Sequence, residues 1–351
     1  MPTLKAARPT ILVAGDEKPA LAERLLSLVV HETQSGLFSC EAVFGNWGTV
    51  GDQIGFLYFD RKLLDFGKPF AIAIGADTIF EGRISGLEAH FLPERPPELA
   101  VLAEDRLQDL RMTRRTRTFA NVTDADMMQT VAADHGLTPA ITVTGPPHKV
   151  LAQVNQSDLA FLRERARTID AELWMSGRTL HVMPRSTRSG SPLRLAFARE
   201  LRSFSALSDL AGQRSSISVS GWNVSSKSAL THVADESAVS GEVGGDTSGV
   251  SILKSALGER KEAVVHSVPL DGAETQAHAE AYFKSMARRF VTGRGVAETD
   301  ARLHVGASAQ LDGLGPLFSG KYYVVEVRHL FDGADGLRTE FTAERPGIGR
   351  A

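Results

Sequence analysis

Acidic pairs are the first residues of this chain that could do chemistry. Asp124 and Asp126 stand two apart, as do Glu298 and Asp300. Two carboxylates facing each other across a cleft would serve glycoside hydrolysis, and a close pair would hold a hard cation. Asp124 and Asp126 follow Thr123 in a capping-box-like start, where acidic side chains satisfy free N–H groups and the positive helix end. Caps are therefore expected there. Nothing in the sequence sets a second carboxylate opposite Glu298 or Asp300. His329 and Asp332 offer an acid–base pair, but a histidine at a strand end beside a turn is more often structural.

Other chemistry is sparse. The ten histidines are scattered, with no two at ligand spacing on a predicted helix. His31-Glu32 and Asp134-His135 are sequence neighbours, which point to different sides of a strand or helix. No phosphate loop, G-x-S-x-G, H-E-x-x-H or paired-cysteine spacing occurs. No catalytic, cofactor-binding or metal-binding residue is expected. Arg111, Arg114, Arg115 and Arg117 form a basic run. It reads either as a phosphate contact or as a solvated linker; without interleaved aromatics the linker is preferred.

Composition sets the class. A chain of 351 residues has room for two or more domains. Its 42% hydrophobic and 23% charged content is that of a soluble globular protein. A net charge of -3 argues against general nucleic-acid binding. The single cysteine, Cys40, excludes an internal disulfide framework and reads as a buried small hydrophobe. No apolar run reaches membrane-spanning length. The N-terminus lacks the apolar core of a signal peptide, so folding in a cytoplasm is expected.

The elements that must position these residues are mostly strands. Residues 1–115 hold short apolar runs at Ile11–Ala14, Leu25–Thr33, Leu37–Phe44, Phe70–Ile74, Thr78–Ile84 and Leu99–Ala103, with Gly turns at Gly36 and Gly75. Such spacing predicts a sandwich or barrel. The loop between Gly45 and Gly67 carries Trp47, Phe56, Tyr58 and Phe59, a packing lid or a partner contact.

Residues 116–190 switch to helical periodicity. One helix starts at Thr123 and buries Met127, Met128 and Val131; another starts at Ser157 and buries Leu159, Leu162 and Ala166. Leu173–Met175 and Thr179–Val182 complete a small α+β domain. A second barrel is expected over 191–226 and 298–346, with strands at Leu201–Ala206, Ile217–Val224, Leu303–Val305, Lys321–Leu330 and Leu337–Ala343. Trp222 reads as a core or strand-end anchor. The insertion 227–297 is expected to hold a flexible Gly/Ser run, Ser237–Ser251, and one helix, Glu274–Val291.

Several phrases carry a family resemblance. S-G-K-Y-Y-V-V-E-V-R-H-x-F at Ser319–Phe331 and G-L-R-T-E-F-x-A-x-R at Gly336–Arg345 resemble the C-terminal barrel of the phage late-control D, or baseplate-hub, family. T-F-A-N-V-T-D-A-D at Thr118–Asp126, V-N-Q-S-D-L-A-F-L-R-E-R-A at Val154–Ala166 and V-S-G-W-N at Val219–Asn223 agree in order. Asn223 stands where the family usually has Asp. The first barrel carries no matching phrase.

The resemblance implies a mainly β fold with two tube-like antiparallel barrels and a small α+β domain. It implies a structural, non-enzymatic hub of a contractile tail or injection system: a homotrimer, with a hexameric inner tube above, a separate trimeric spike below, and other baseplate proteins around it. The chain ends soon after the last strands, hence the separate spike. The particle would assemble in the producing cell's cytoplasm. The alternative is a tail-associated cell-wall hydrolase or glycan-binding β protein, since some hubs carry a muramidase insertion. An insertion of about 70 residues is too small for that domain.

Overall fold

A computed structural model describes residues 8–188, 190, 192–265, 269 and 271–350. The N-terminal residues 1–7 and Ala351, which bear on the expectations above, lie outside the described residues.

The first segment contains β1 (Thr10–Val13), β2 (Asp16–Glu17), α1 (Pro19–Arg24), β3 (Leu25–Thr33), β4 (Ser39–Gly45), β5 (Trp47–Val50), β6 (Gln53–Phe56), β7 (Pro69–Ile74), β8 (Asp77–His90) and β9 (Glu98–Glu104). Alternation puts Leu28 and Val30 of β3 inside, against Phe44, Phe70, Ile72 and Val101. Gly36 sits at φ +69° in the β3–β4 turn. A Cβ there would stand 2.8 Å from both Leu107 Cδ1 and the Leu173 carbonyl oxygen, so the turn admits only glycine where the next segment packs.

That segment holds α2 (Leu107–Arg111), β10 (Arg114–Val122), α3 (Asp124–Asp134), β11 (Thr138–Ile141), β12 (His148–Ser157), α4 (Asp158–Thr168), β13 (Ala171–Ser176), β14 (Thr179–Pro184) and α5 (Arg185–Arg188). The capping box at Thr123 and Asp126 is present. The basic run is not a linker: Arg114 opens a strand paired with β12. Its partners lie in distant sequence, which a local charge count does not reveal.

The third segment runs through β15 (Leu193–Ala196), β16 (Leu201–Ser208), β17 (Ser216–Asn223), β18 (Ser228–Asp235), α6 (Ser240–Val243), β19 (Thr247–Ser248), α7 (Gly249–Leu257), β20 (Lys261–Val264), α8 (Gly272–Ala287), β21 (Val291–Ala297), β22 (Ser308–Asp312), α9 (Gly315–Phe318), β23 (Gly320–Asp332), β24 (Gly336–Arg345) and β25 (Gly347–Ile348).

Several expectations fail here. β17 does not join the second barrel; it pairs with β18 and β20, and Ile217 and Val219 share a core with Ala279 and Phe283 of α8. Period-two alternation gives a strand its inner face but not its partner. The run expected to be flexible is folded. Ser248 caps α7 by accepting from the Ser251 amide at 3.0 Å, and Glu236 accepts from the Ser251 hydroxyl at 2.7 Å. Its serines and glycines are cap and turn chemistry. The insertion therefore holds more than one helix, and α8 stops at Ala287 rather than Val291. Leu303 and Val305 are buried, but their segment is not a strand.

The protein is mainly β. One thirteen-stranded sheet runs β16-β21-β24-β23-β3-β4-β9-β8-β7-β1-β2, with β22 and β15 branching from β23. It curls around two separate cores, one of Ile11, Phe44 and Phe70, the other of Leu201, Tyr322 and Phe341. The two halves meet where β3 pairs antiparallel with β23, from Ser27↔Asp332 to Thr33↔Glu326.

Candidate functional site

The residues nominated by sequence do not assemble into an active site. His329 is buried and bonds Thr339 Oγ1 at 2.9 Å; burial pushes its ring down to about 4. Asp332 instead holds the β23–β24 turn, accepting from the Ala334 and Asp335 amides and from Arg338. Glu298 and Asp300 border one cavity of about 420 Å³. Each is held by its own arginine: Glu298 takes Arg202 at 2.6 and 2.8 Å, and Asp300 takes Arg302 at 2.6 Å. These bonds lower both carboxyls, the reverse of what a glycosidase acid needs. Among the described residues no group of three histidine, cysteine or acidic side chains is placed to hold a metal.

Asp126 caps α3, but Asp124 does more. Burial pushes its carboxyl up, yet His148 at 3.0 Å and Arg165 at 2.7 Å outweigh that and hold it at about 2. Arg165 also approaches Glu274 of α8 at 3.6 Å, which ties the α+β segment to the insertion. Arg117 bonds Gln153, Asp134 and Asp158, and Arg115 reaches Asp158 at 3.2 Å. Arg115 and Arg117 of the basic run thus pair with internal carboxylates, while Arg114 donates to the Asn155 carbonyl at the surface. Cys40 is buried, while Trp222 is half-exposed on β17 and anchors no core.

A polar junction that sequence reading missed joins both barrels to the α+β segment. Glu172 accepts from Gln34 at 2.6 Å, Arg188 at 2.7 Å and the Tyr323 hydroxyl at 2.7 Å. Arg185 bonds Glu344 at 2.6 Å and stacks over Tyr323. Nearby, Glu32 accepts from the Val305 amide at 3.0 Å, and burial pushes its carboxyl up to about 7. Apart from Arg188 with Glu172, these partners lie more than a hundred residues apart and leave no local signal. A second joint centres on Arg288, which donates to Asp170 at 2.7 Å and to Glu242 at 2.6 Å.

Two kinds of surface stand open among the described residues. The first is sheet edge: β16 ends the large sheet on one side, and β1 with the short β2 ends it on the other. The second is aromatic. Cross-strand partners Trp47 and Phe56 on the β5–β6 ribbon lie 5.1 Å apart, and Phe56 continues to Phe59 and Phe91. Trp47, Phe56, Phe91 and Ile54 are exposed, the last at 69%. Part of the long loop is the packing lid that its composition suggested. Tyr58 and Leu64 pack inward, and buried Asn46 holds the ribbon's base by accepting from the Leu57 and Tyr58 amides. The ribbon leaves from the end of β4, whereas the α+β segment sits on the β3–β4 turn, at the opposite end of the first barrel.

Among the described residues no helix is long and apolar enough to cross a membrane, which says nothing of membrane β-barrels.

Solved structures share this architecture. The 43 kDa tail protein of prophage MuSo2 from Shewanella oneidensis superposes with a TM-score of 0.71 at 10% identity, over 97% of this chain and 98% of that one. A tail protein from Neisseria meningitidis MC58 gives 0.71 at 15% identity, over 97% of each chain. The E. coli c3393 protein is described as a component of the type VI secretion system with structural similarity to T4 bacteriophage tail proteins gp27 and gp5. It gives 0.62 at 11% identity, over 97% of this chain and 79% of that one. The fold is that of phage tail proteins. No curated protein matches the chain. A family model described as the Alg8 N-terminal domain matches residues 48–332, and the chain belongs to that family. The match begins inside β5 and stops at the end of β23, leaving out β1 to β4 with α1, and β24 and β25; it assigns no activity to the residues described above.

Proposed function

We propose that the chain is a structural baseplate hub of the late-control D type, a trimeric adaptor between a hexameric inner tube and a separate trimeric spike. The observation that carries this is the single sheet that wraps both cores and ends in two open edges. An open edge is a template for another strand. Closed rotation about one axis satisfies the β16 edge of each copy with the β1–β2 edge of the next. Three copies then supply six barrels, in step with a sixfold tube above and a threefold spike below. In this reading residues 1–115 form the first barrel, 116–190 the α+β domain and 298–346, with β15, β16 and β21, the second barrel. The insertion keeps β17, β18, β20 and α8 outside the ring. The aromatic ribbon offers a further contact to tube, spike or another baseplate protein.

The reading is non-enzymatic. Arginines neutralise the carboxylates that a wall hydrolase would need, so purified protein is expected to leave peptidoglycan turbidity unchanged. Cysteines placed at Ser205 on β16 and Glu17 on β2 test the ring. Oxidation of assembled particles should give a covalent trimer, with little background because native Cys40 is buried. Monomer alone under those conditions would refute the closure.

A further inference from the structure

Three segments meet at the turn between β3 and β4. Glu172 of β13 accepts from Gln34 at 2.6 Å, and Arg163 of α4 donates to the Ser35 and Gly36 carbonyl oxygens. Two acids flank the turn. Glu32, near the end of β3, accepts at 3.0 Å from the Val305 amide in the loop before β22. Asp105, just after β9, accepts from the Phe38 amide at 3.0 Å and from the Leu107 amide at 2.9 Å. Glu32 thus ties the first barrel to the second, and Asp105 ties the turn to the start of α2.

Among the described residues no cation bonds either acid. Glu32 is 5% exposed and Asp105 3%, so water does not take a cation's place. The charged and titratable neighbours are committed elsewhere. Arg188 of α5 bonds Glu172, and Arg163 bonds the carbonyls of the turn. Glu104 of β9 bonds Arg111 of α2. His304 sets Nδ1 2.9 Å from the Val305 carbonyl oxygen, and burial holds its ring below the usual range. From β23, His329 bonds Thr339 and Tyr323 bonds Glu172. A buried carboxylate without a bonded cation is costly, and a second one nearby adds to that cost. Burial, chiefly, and the Asp105 charge push Glu32 up to about 7, against the Val305 amide and Arg188. Burial likewise pushes Asp105 up to about 6.

We propose that Glu32 and Asp105 form a proton-operated latch on this turn: protonated, they hold the α+β segment and the loop before β22 closed upon it, and ionised, they let both loosen while the barrel cores stay folded. The sign follows from burial. An acid that is harder to ionise when folded favours closure fully below its unfolded value, 4.5 for Glu32 and 3.8 for Asp105. That contribution is lost as pH rises through about 7 for Glu32 and about 6 for Asp105. The latch goes beyond the ring and does not depend on it, because all its parts lie within one chain.

Amide hydrogen exchange on the full chain at about pH 5.5 and about pH 8, corrected for intrinsic rates, tests this. Protection at Val305, Phe38 and Leu107 should fall by roughly tenfold to a hundredfold between the two conditions. Ile72, in the core of the first barrel, should keep its protection. Glu32→Gln should remove most of the fall at Val305, and Glu32→Gln with Asp105→Asn should remove it at all three amides. No fall in the parent, an equal fall at Ile72, or an unaltered fall in the double variant would overturn the proposal. The parent alone decides the first two outcomes, whether or not the double variant folds.

Discussion

Between β3 and β23 the two barrels join as one fabric: seven residue pairs continue the ladder, and Leu28, Val30, Val327 and Phe331 are buried around it. The α+β segment and the insertion join differently. Their contacts run through Arg288 with Asp170 and Glu242, and through Arg165 with Asp124 and Glu274. A backbone ladder with apolar flanks responds weakly to charge, whereas a joint of buried ions loses much when one partner goes. The difference suggests that the large sheet is the fixed frame and that loss of a single charge acts mainly at the joints of the outer segments, while the sheet carries one buried acid of its own, Glu32.

Arg288→Ala should break this contrast most strongly. It leaves the Asp170 and Glu242 carboxylates with only Lys284, 3.8 Å from Asp170, in place of the buried guanidinium, at a cost of about 4 kcal/mol in urea unfolding. Arg202→Ala, whose partner Glu298 lies at the surface, should cost only about 0.5 kcal/mol. Similar losses for both would remove the distinction between joint and surface.

Gly36→Ala comes next. It adds left-handed strain and a clash where the first barrel meets Leu107 and Leu173, for about 3 kcal/mol in all. Gly75→Ala, at φ +60° with nothing within 4 Å of a new Cβ, should cost only about 1 kcal/mol. Calorimetry on both variants separates packing from strain.

Glu32→Gln sharpens the pH side. Burial raises this carboxyl from 4.5 to about 7. The folded state therefore holds a proton that the unfolded chain has released. Its contribution to stability is full below about pH 4.5 and is lost as pH rises to about 7. Gln keeps an oxygen for the Val305 amide and cannot ionise. The variant should be more stable than the parent at pH 8, by about 2 kcal/mol, and level with it at pH 4. Parallel pH profiles for the two would contradict the buried-acid account.

Ile54→Asp should have the smallest effect on folding, within about 0.5 kcal/mol, because the side chain is exposed. Its effect belongs to assembly: fewer particles should incorporate the chain, read by density-gradient recovery. Normal incorporation would make the aromatic ribbon a bystander.

Much of this frame was legible in sequence. Leu25–Thr33 is a strand with the bounds that its alternation predicts, and Thr123-x-x-Asp126 caps a helix as that spacing requires. These signals are local. What sequence could not give is the choice of partner. The alternation of Ile217 and Val219 fits a barrel or the α8 sheet equally well. The serines of 237–251 read as a flexible run because composition hides local caps such as Ser248 on the Ser251 amide, and because the Glu236 acceptor lies 12 and 15 residues from Ser248 and Ser251. Arg115 and Arg117 looked solvated until Asp134 and Asp158 folded onto them, and the Glu172 junction draws on three segments at once.

The central claim is that one open-ended sheet per chain closes by rotation. A cryo-EM reconstruction of the assembled baseplate tests it most directly. The account predicts three copies in one ring, first and second barrels alternating around a channel, with β16 of each copy beside β1 and β2 of the next. Six copies in the ring, or a single copy on the axis, would contradict it.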